Sequence, residues 1–450
     1  MLYVIIGYAV FVNVVSLLVR RARSGDEYLM GGRQFSPLYV AFGLFTLIGG
    51  GELVTMTSLG YSNGLAGIAL FLGYAFSFVF LGILAPRLRA NYGESLPLSL
   101  PDFIHMKYGR FAGHFVFAVS FLAFFGLLVM QFTAAGKLLG PMIHFGYKEA
   151  VLATAAIAFT YLFVGGFRTV MTTDLFQGIA MLILLPLLLW AVVGSTPTSS
   201  IFAQTTESLP WGMWISMTVA GFLGGTASAD VWQRAYAAKD NRQAKRGFAV
   251  GAFLLLLFGL LLTLLGMTAK LSGKITSADT AFAEAITRLL PGWATYLAVL
   301  LVLSVILSTA DTEMFLLSGM AEREILRIRN HLEGGSLATH ESTRSSRFWL
   351  TGITAVATVI GLFFGDLVTL YSWLLSAGLI IAPVVAASIF IALKPIFANV
   401  CLVCNATAFV FLAIMGIITL DNAYIVALPS LLLCAALWAW RHKQILGIRN

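Results

Sequence analysis

The chain has 450 residues, of which 59% are hydrophobic and only 11% are charged, and its mean hydropathy is +0.90. Soluble domains carry about 25% charged residues, so this composition excludes an ordinary soluble protein and indicates a polytopic protein of the lipid bilayer. The net charge of +8 does not indicate nucleic-acid binding, because the Lys and Arg residues lie mainly in the connections between hydrophobic segments.

A transmembrane helix needs about 20 mostly apolar residues, and about thirteen segments of roughly that length follow one another along the chain. The predicted spans are residues 2–19, 38–61, 66–84, 111–139, 150–164, 175–193, 213–231, 247–267, 294–317, 348–364, 367–393, 396–418 and 423–440. Basic residues follow the first span and none precedes it, which is the reverse of a cleavable signal peptide. We therefore expect an uncleaved first helix.

The distribution of basic residues predicts the orientation of these spans. With the N-terminus outside, nearly all of the 28 Lys and Arg residues fall in connections on the cytoplasmic side. The exceptions are Lys137, Lys148, Lys270, Lys274 and Arg288. This asymmetry follows the positive-inside rule, so we expect the N-terminus outside and the C-terminus in the cytoplasm.

Two predicted spans carry glycine clusters that favour an interrupted membrane helix. Residues 49–51 are Gly-Gly-Gly before Glu52 in the second span, and the seventh span contains Gly221 and the glycine pair 224–225. These two spans run in opposite directions, so spans two to six and seven to eleven form two five-helix units of opposite topology. This is the five-plus-five inverted repeat of the LeuT type, in which interrupted helices mark the binding site.

The predicted repeat divides the chain into five segments. They are an extra N-terminal helix and cytoplasmic loop (1–37), the first repeat (38–193), an extracellular loop (194–212), the second repeat (213–393), and two C-terminal helices with a short cytoplasmic tail (394–450). The expected fold class is an all-α polytopic membrane protein.

The ninth span carries the strongest chemical signal of the chain. Polar residues and one aromatic residue recur at helical spacing and share one face: Ser304, Ser308, Asp311, Thr312 and Phe315. A charge at the bilayer centre costs at least about 2.5–3.5 kcal/mol, so an acid there is a functional candidate. Hydroxyl and carboxylate oxygens are the ligands that a hard cation prefers, so this face predicts a cation site.

Several motifs occur in the order found in the sodium:solute symporter family, which this chain resembles. They are GGR at 31–33, GYSNGLA at 60–66, SLPDFIHMKYG at 99–109, TTDLFQG at 172–178, QRAYAAKD at 233–240 and STADTEM at 308–314. The resemblance covers spans one to eleven. It implies secondary active transport in which a sodium gradient drives the import of a small organic solute by alternating access.

The resemblance also implies a sodium site between the second and ninth spans. Its ligands would be the backbone carbonyls of Phe45, Ile48 and Val305 and the hydroxyls of Ser308 and Thr309. Unwinding at the glycines would free carbonyl groups just before them, which agrees with this ligand set.

A second cation site, or a residue group for sodium release, is implied at the cytoplasmic end of the sixth span. Asp174 would act there with Ser308, Asp311 and Thr312. Family members often carry Ser or Thr at or beside the position of Asp311, so an acid there raises the alternatives of a second sodium ion or a proton.

The substrate pocket is expected between the two interrupted spans. Its predicted residues are Gly51, Glu52, Gln131, Gly221, Gly225 and Ser376. Glu52 would pair with a substrate ammonium, and Leu47 stands where proline symporters have an Asp, which argues against proline. Asp230 is interpreted as structural, pairing with Arg234 at i+4.

Two other classes of function are compatible with the sequence. The first is a symporter-like membrane sensor, and the second is a proton-coupled transporter. No enzyme motif or cofactor site stands out, so we expect no catalysis and no cofactor, with Na⁺ as the coupling ion. The expected partners are the solute, Na⁺ and the bilayer of a bacterial inner membrane, and a monomer is expected to suffice for transport.

Overall fold

The computed structural model describes residues 1–19, 25–89, 97, 99–194, 211–330, 340–390, 393–419 and 422–445. These residues are helical and contain no strand, apart from an isolated bridge between Phe35 and Ala238. The all-α prediction is confirmed. Because helices satisfy their own backbone hydrogen bonds, they are the expected solution for a chain of this hydropathy.

Seventeen helices of the described chain are numbered here. They are α1 (Leu2–Leu18), α2 (Pro37–Phe45), α3 (Gly50–Asn63), α4 (Ala69–Arg89), α5 (Leu100–Tyr108), α6 (Arg110–Ala134), α7 (Tyr147–Val164), α8 (Phe167–Val193), α9 (Trp211–Thr226), α10 (Ala229–Ala237), α11 (Asn241–Leu271), α12 (Ala294–Asn330), α13 (His340–Gly361), α14 (Leu367–Gly378), α15 (Ala382–Phe390), α16 (Pro395–Ile414) and α17 (Leu428–Ile445). In the described part of the chain, each predicted span coincides with one of these helices or with a consecutive pair.

Among the described residues, eight helical segments are long and apolar enough to cross a membrane, and two apolar helices are shorter. The continuous segment Gly50–Arg89 covers parts of two predicted spans, and the first and last predicted spans coincide with the two shorter helices. The seventh span is divided into two short helices, and the span predicted at 348–364 is not among the eight. The division of the chain into repeats and flanking segments stays a prediction, as does its orientation in the bilayer.

The second and seventh spans are broken helices, as the inverted repeat requires. In the second span α2 ends at Phe45 and α3 begins at Gly50. In the seventh span α9 ends at Thr226 and α10 begins at Ala229. Each broken helix is the first of its predicted repeat, so the two breaks occupy equivalent positions in units of opposite direction.

Only part of the predicted glycine clusters lies at a helix break. Gly49 lies in the first break as the N-cap of α3, whereas Gly50 lies in the first turn of α3, and Gly221 and Gly225 lie within α9. A Cβ atom on Gly50 would lie 2.7 Å from the Cβ atom of Ala134, and one on Gly221 would lie 2.2 Å from the carbonyl oxygen of Leu70. These glycines therefore serve the close approach of neighbouring helices.

Helix α12 lies against α6, α8 and α13 in the interior of the bundle. Its polar face is buried, which removes the carboxylate of Asp311 from lipid. The helix continues to Asn330, well beyond the predicted end at residue 317. It therefore connects the level of the two helix breaks with the predicted cytoplasmic side.

Candidate functional site

Where the first helix break meets α3, two backbone N–H groups donate hydrogen bonds to side chains. The N–H of Gly49 donates to Oε2 of Glu52 at 2.9 Å, and the N–H of Gly50 donates to Oε1 of Gln131 at 2.7 Å. The first N–H groups of a helix have no partner within it, so these two side chains cap α3. Glu52 and Gln131 thus stabilise the broken conformation.

The other end of the same break offers a carbonyl oxygen to α12. The hydroxyls of Ser308 and Thr309 each donate to the carbonyl of Thr46 at 3.2 Å. The carbonyl of Val305 is an alternative acceptor for the same two hydroxyl protons, at 3.0 Å from Ser308 and 3.2 Å from Thr309. Two carbonyl and two hydroxyl oxygens therefore converge between the break and α12, and all four are neutral ligands suited to a hard monovalent cation.

This convergence brings together three of the five predicted sodium ligands, Val305, Ser308 and Thr309. It adds Thr46, whose carbonyl sequence reasoning missed because the exact end of α2 decides which carbonyl faces α12. Ile48 lines the central cavity. The carbonyls of Phe45 and Ile48 stay predicted ligands.

A buried ion pair occupies part of the predicted second cation site. One Nη atom of Arg234 lies 3.1 Å from Oδ2 of Asp174 and 2.9 Å from the hydroxyl of Thr312. The side chains of Arg234 and Asp174 are both 0% exposed. The predicted ion pair of Arg234 with Asp230 is absent from the described structure. The contact of Arg234 with Asp230 is a hydrogen bond to the backbone carbonyl, not to the carboxylate.

Asp311 lies on the same face of α12 and has different partners. Its Oδ2 atom accepts hydrogen bonds from the hydroxyl of Tyr161 at 2.7 Å and from that of Thr173 at 3.2 Å. Its Oδ1 atom is buried and accepts no hydrogen bond among the described residues. Asp174 and Asp311 therefore differ, since only Asp174 forms an ion pair with a basic side chain.

A central cavity lies between the two helix breaks. Leu47 and Ile48 from the first break line it, and Ser228 and Asp230 line it from the second. Thr309 from α12 lines it as well. The cavity therefore adjoins the convergent oxygens at Thr46 and is the candidate substrate site.

Six residues are predicted to bind the substrate, and Glu52 is the one of them that lines this cavity in the described structure. Gln131 instead caps α3, and the hydroxyl of Ser376 donates to the carbonyl of Ser372 within α14. Gly51 packs against α6, where an added Cβ atom would lie 2.3 Å from Cε of Met130. Hydropathy placed these residues on membrane helices without showing which neighbour each one faces.

The two predicted substrate glycines of α9 also lie away from the cavity wall. Gly221 packs against the backbone of α4, as described above, and a Cβ atom on Gly225 would lie 2.0 Å from the hydroxyl oxygen of Ser77. Their small size is required by the contact between α9 and α4, which brings the second break to the cavity.

Sequence reasoning missed two acidic residues of the cavity, Asp230 and Glu313. The helical spacing of Asp230 and Arg234 predicts a structural role for Asp230 instead. Glu313 follows Thr309 by four residues, so the two share a helix face, and this spacing was the signal that could have placed Glu313 beside the sodium site. The hydroxyl-bearing rings of Tyr74 and Tyr371 complete the polar lining.

Comparison with known families and proteins shows which transporter family this chain belongs to. The model of the sodium:solute symporter family matches residues 28–393. The sodium/pantothenate symporter of Haemophilus influenzae is 24% identical over 70% of this chain and 69% of its own length. The sodium/proline symporter 2 of Staphylococcus saprophyticus is 27% identical over 42% of this chain and 38% of its length. A spermidine transporter of Candida albicans is 23% identical over 73% of this chain and 64% of its length.

Solved structures show the same fold. A Na⁺-coupled sialic acid symporter in a substrate-bound outward-open state superposes with a TM-score of 0.81 at 15% identity, covering 96% of this chain and 95% of that one. Mhp1, a nucleobase-cation-symport-1 family transporter, superposes with a TM-score of 0.63 at 14% identity, covering 95% of this chain and 96% of that one. Both support the LeuT-type architecture predicted from the two interrupted spans.

Proposed function

Since the chain belongs to the sodium:solute symporter family and is a sodium-coupled symporter, we propose that it carries a small organic solute through the cavity between its two broken helices. The position of Thr309 carries this proposal. Its hydroxyl donates to the Thr46 carbonyl, and the same residue lines the cavity. Sodium and solute would therefore bind on either side of one residue.

We assign the sodium site to the carbonyls of Thr46 and Val305 and the hydroxyls of Ser308 and Thr309. In the structure each hydroxyl can donate to either of these carbonyls, so the carbonyl that the helix break frees is not left without a partner. A sodium ion would accept lone pairs from all four oxygens. It would thereby join the first break to α12 and hold one wall of the cavity in place.

Coupling between sodium and solute follows because Thr309 belongs both to the proposed sodium site and to the cavity wall. A ligand shifts a conformational equilibrium only through its different affinity for the two states. Sodium would favour the state in which the Thr46 carbonyl faces α12, and this is the state in which Thr309 and Ile48 line the cavity. Solute binding would then be stronger with sodium bound, and the reverse would hold by reciprocity.

We further propose that a single sodium ion couples to each solute. Two of the residues implied in a second cation site, Asp174 and Thr312, bind the guanidinium of Arg234. A buried carboxylate needs a compensating charge, and Arg234 supplies it from within the chain. Sodium release by Asp174 would then require movement of α8 or α10, which carry the two charges.

Proton coupling is the second candidate, and Asp311 is the observation that favours it. The side chain is 0% exposed, and its described hydrogen-bond donors are the neutral hydroxyls of Tyr161 and Thr173. A carboxyl group in such surroundings exchanges a proton more readily than it holds a free charge. A proton gradient that drives uptake without sodium would favour this function.

The chain is an integral membrane protein, as its family and its apolar helices indicate. We propose that the membrane is a bacterial inner membrane, that a monomer suffices, and that the chain transports its solute without chemical change. The transporters among its relatives support the last point.

Thermal unfolding of the purified protein in detergent tests the proposed sodium site directly. We expect the Tm to rise with sodium concentration and to change little with potassium at equal ionic strength, because a ligand that binds only the folded state stabilises it. The Thr309→Ala variant should need about tenfold more sodium for the same response. An equal response to sodium and potassium in the native chain would contradict sodium coupling.

A further inference from the structure

The charge of the central cavity has one sign. Glu52, Asp230 and Glu313 line it, and the described lining contains no Lys, Arg or His. The three carboxylates come from α3, α10 and α12, three elements far apart in the chain. The packing of both broken helices against α12 therefore brings them together.

Glu52 and Asp230 are partly compensated within the protein. Oε2 of Glu52 accepts the backbone N–H of Gly49, and Asp230 accepts hydrogen bonds from the hydroxyl of Ser228 and from the N–H of Val231, the latter at 2.7 Å. Both acids also lie in the first turn of a helix, where the backbone dipole favours a negative charge.

Glu313 lacks comparable compensation. It lies in the middle of α12, where no helix end is near, and its side chain is only 2% exposed. Its Oε2 atom accepts no hydrogen bond in the described structure. Glu52 and Asp230 are near enough to repel its charge. The ionised form of Glu313 is stable in this position only beside a positive charge, and the described lining of the cavity supplies none.

The rest of the wall suits an organic partner. Phe71, Phe78 and Phe124 contribute aromatic rings, and Tyr74 and Tyr371 add rings with hydroxyl groups. Aromatic faces attract ammonium groups, most strongly where water is excluded. A small inorganic cation would leave this apolar surface without contacts, whereas an alkyl amine would cover it.

We propose that the cavity binds a protonated organic amine, with Glu313 as the acceptor of its ammonium group and Glu52 and Asp230 as further negative charges around it. This rests on the proposed function, whose solute it assigns to a chemical class. The relatives named above carry pantothenate, proline and spermidine, which differ in charge, so the lining residues decide the class. An anionic solute would face three carboxylates with no basic side chain to bind it.

The test is a ligand screen by thermal unfolding of the purified chain in sodium. The probes are the protonated amines putrescine and spermidine, with proline, glucose and pantothenate as zwitterionic, neutral and anionic comparisons. We expect at least one amine to raise the Tm beyond sodium alone and the other probes to have no effect. A response to sodium without any amine response would overturn the amine assignment and leave the sodium site standing, whereas no sodium response would contradict the proposed function itself.

The Glu313→Gln variant then tests the acceptor. We expect its Kd for the responding amine to rise at least tenfold while sodium still raises the Tm. Glu149→Gln, which alters an exposed glutamate of α7, is the matched control and should bind the amine normally. Unchanged amine affinity in Glu313→Gln would overturn the role of Glu313.

Glu52→Gln keeps the test decisive if Glu313→Gln does not fold. Its amide oxygen can still accept the N–H of Gly49, so the helix cap is retained while the charge is removed. We expect weaker amine binding with the sodium response unchanged. Equal amine affinity in this variant and the native chain would contradict an acidic amine site.

Discussion

A nitrogen of the Arg234 guanidinium lies 3.1 Å from a carboxylate oxygen of Asp174, and neither side chain is exposed. This ion pair joins α10 of the second broken helix to α8. Because Thr312 accepts from the same nitrogen, α12 is held at the same point. The pair therefore connects the two predicted repeats directly, beneath the site where sodium and solute are proposed to bind.

Removal of one partner of this ion pair should be costly. We expect Asp174→Asn to destabilise the chain by about 3 kcal/mol, because the buried guanidinium of Arg234 loses its compensating charge. The double variant with Arg234→Met should recover part of the loss, since no unpaired charge remains. Thermal unfolding in detergent would measure the stability of the single and the double variants. A double variant whose Tm falls by the sum of the single effects would show that the two residues act independently.

The hydroxyls at the proposed sodium site should control the response to sodium. We expect Ser308→Ala and Thr309→Ala each to raise the half-saturating sodium concentration about tenfold, the equivalent of about 1.4 kcal/mol, because each removes one ligand oxygen. The measurement is the sodium dependence of the Tm. Thr268→Ala is the control, since its hydroxyl donates to a carbonyl within α11. Native sodium dependence in both site variants would exclude this assignment.

The close contact between α9 and α4 should tolerate no added atom at its centre. A methyl group at Gly221 would meet the carbonyl oxygen of Leu70 at 2.2 Å, so Gly221→Ala should destabilise the chain by at least about 1–3 kcal/mol. Gly352→Ala is the control, because Gly352 is exposed within α13 and nothing lies within 4 Å of the added atom. It should be neutral or slightly stabilising. Equal Tm values for the two variants would contradict the packing argument.

Stability should fall in mild acid through His105 in α5, outside the membrane-spanning helices. Burial lowers the pKa of this imidazole, and the nearby Arg327 and His114 act in the same direction against Glu324 and Asp102. The folded chain therefore takes up a proton at His105 less readily than the unfolded chain. Its stability should decrease as the pH falls below about 6.5, the usual pKa of His.

The measurement for His105 is the Tm between pH 7.5 and pH 5.5, a range set by that usual pKa. His105→Gln has no proton to take up, so its Tm should fall less over this range than that of the native chain. An identical pH dependence in both proteins would assign the acid sensitivity to other groups.

Much of this architecture could be predicted without coordinates, because its signals are local. Hydropathy and segment length gave the spans, and glycine clusters marked the two helices that break. The hydroxyls of Ser308 and Thr309 could be assigned to one site because neighbouring positions on one helix keep their spacing in any fold. Tertiary structure decides their acceptor, the carbonyl of Thr46, because it brings the end of α2 to face α12.

Packing between distant segments decided the rest. Helical spacing favoured Asp230 as the partner of Arg234, yet the partner is Asp174, 60 residues away, because α8 and α10 meet inside the bundle. Glu313 was visible as an intramembrane acid, but the arrival of both broken helices beside α12 made it part of a cavity with Glu52 and Asp230. Composition and periodicity thus determined which residues enter the membrane and which share a helix face. Tertiary structure decided which charges face one another, since that depends on contacts between helices that no local pattern records.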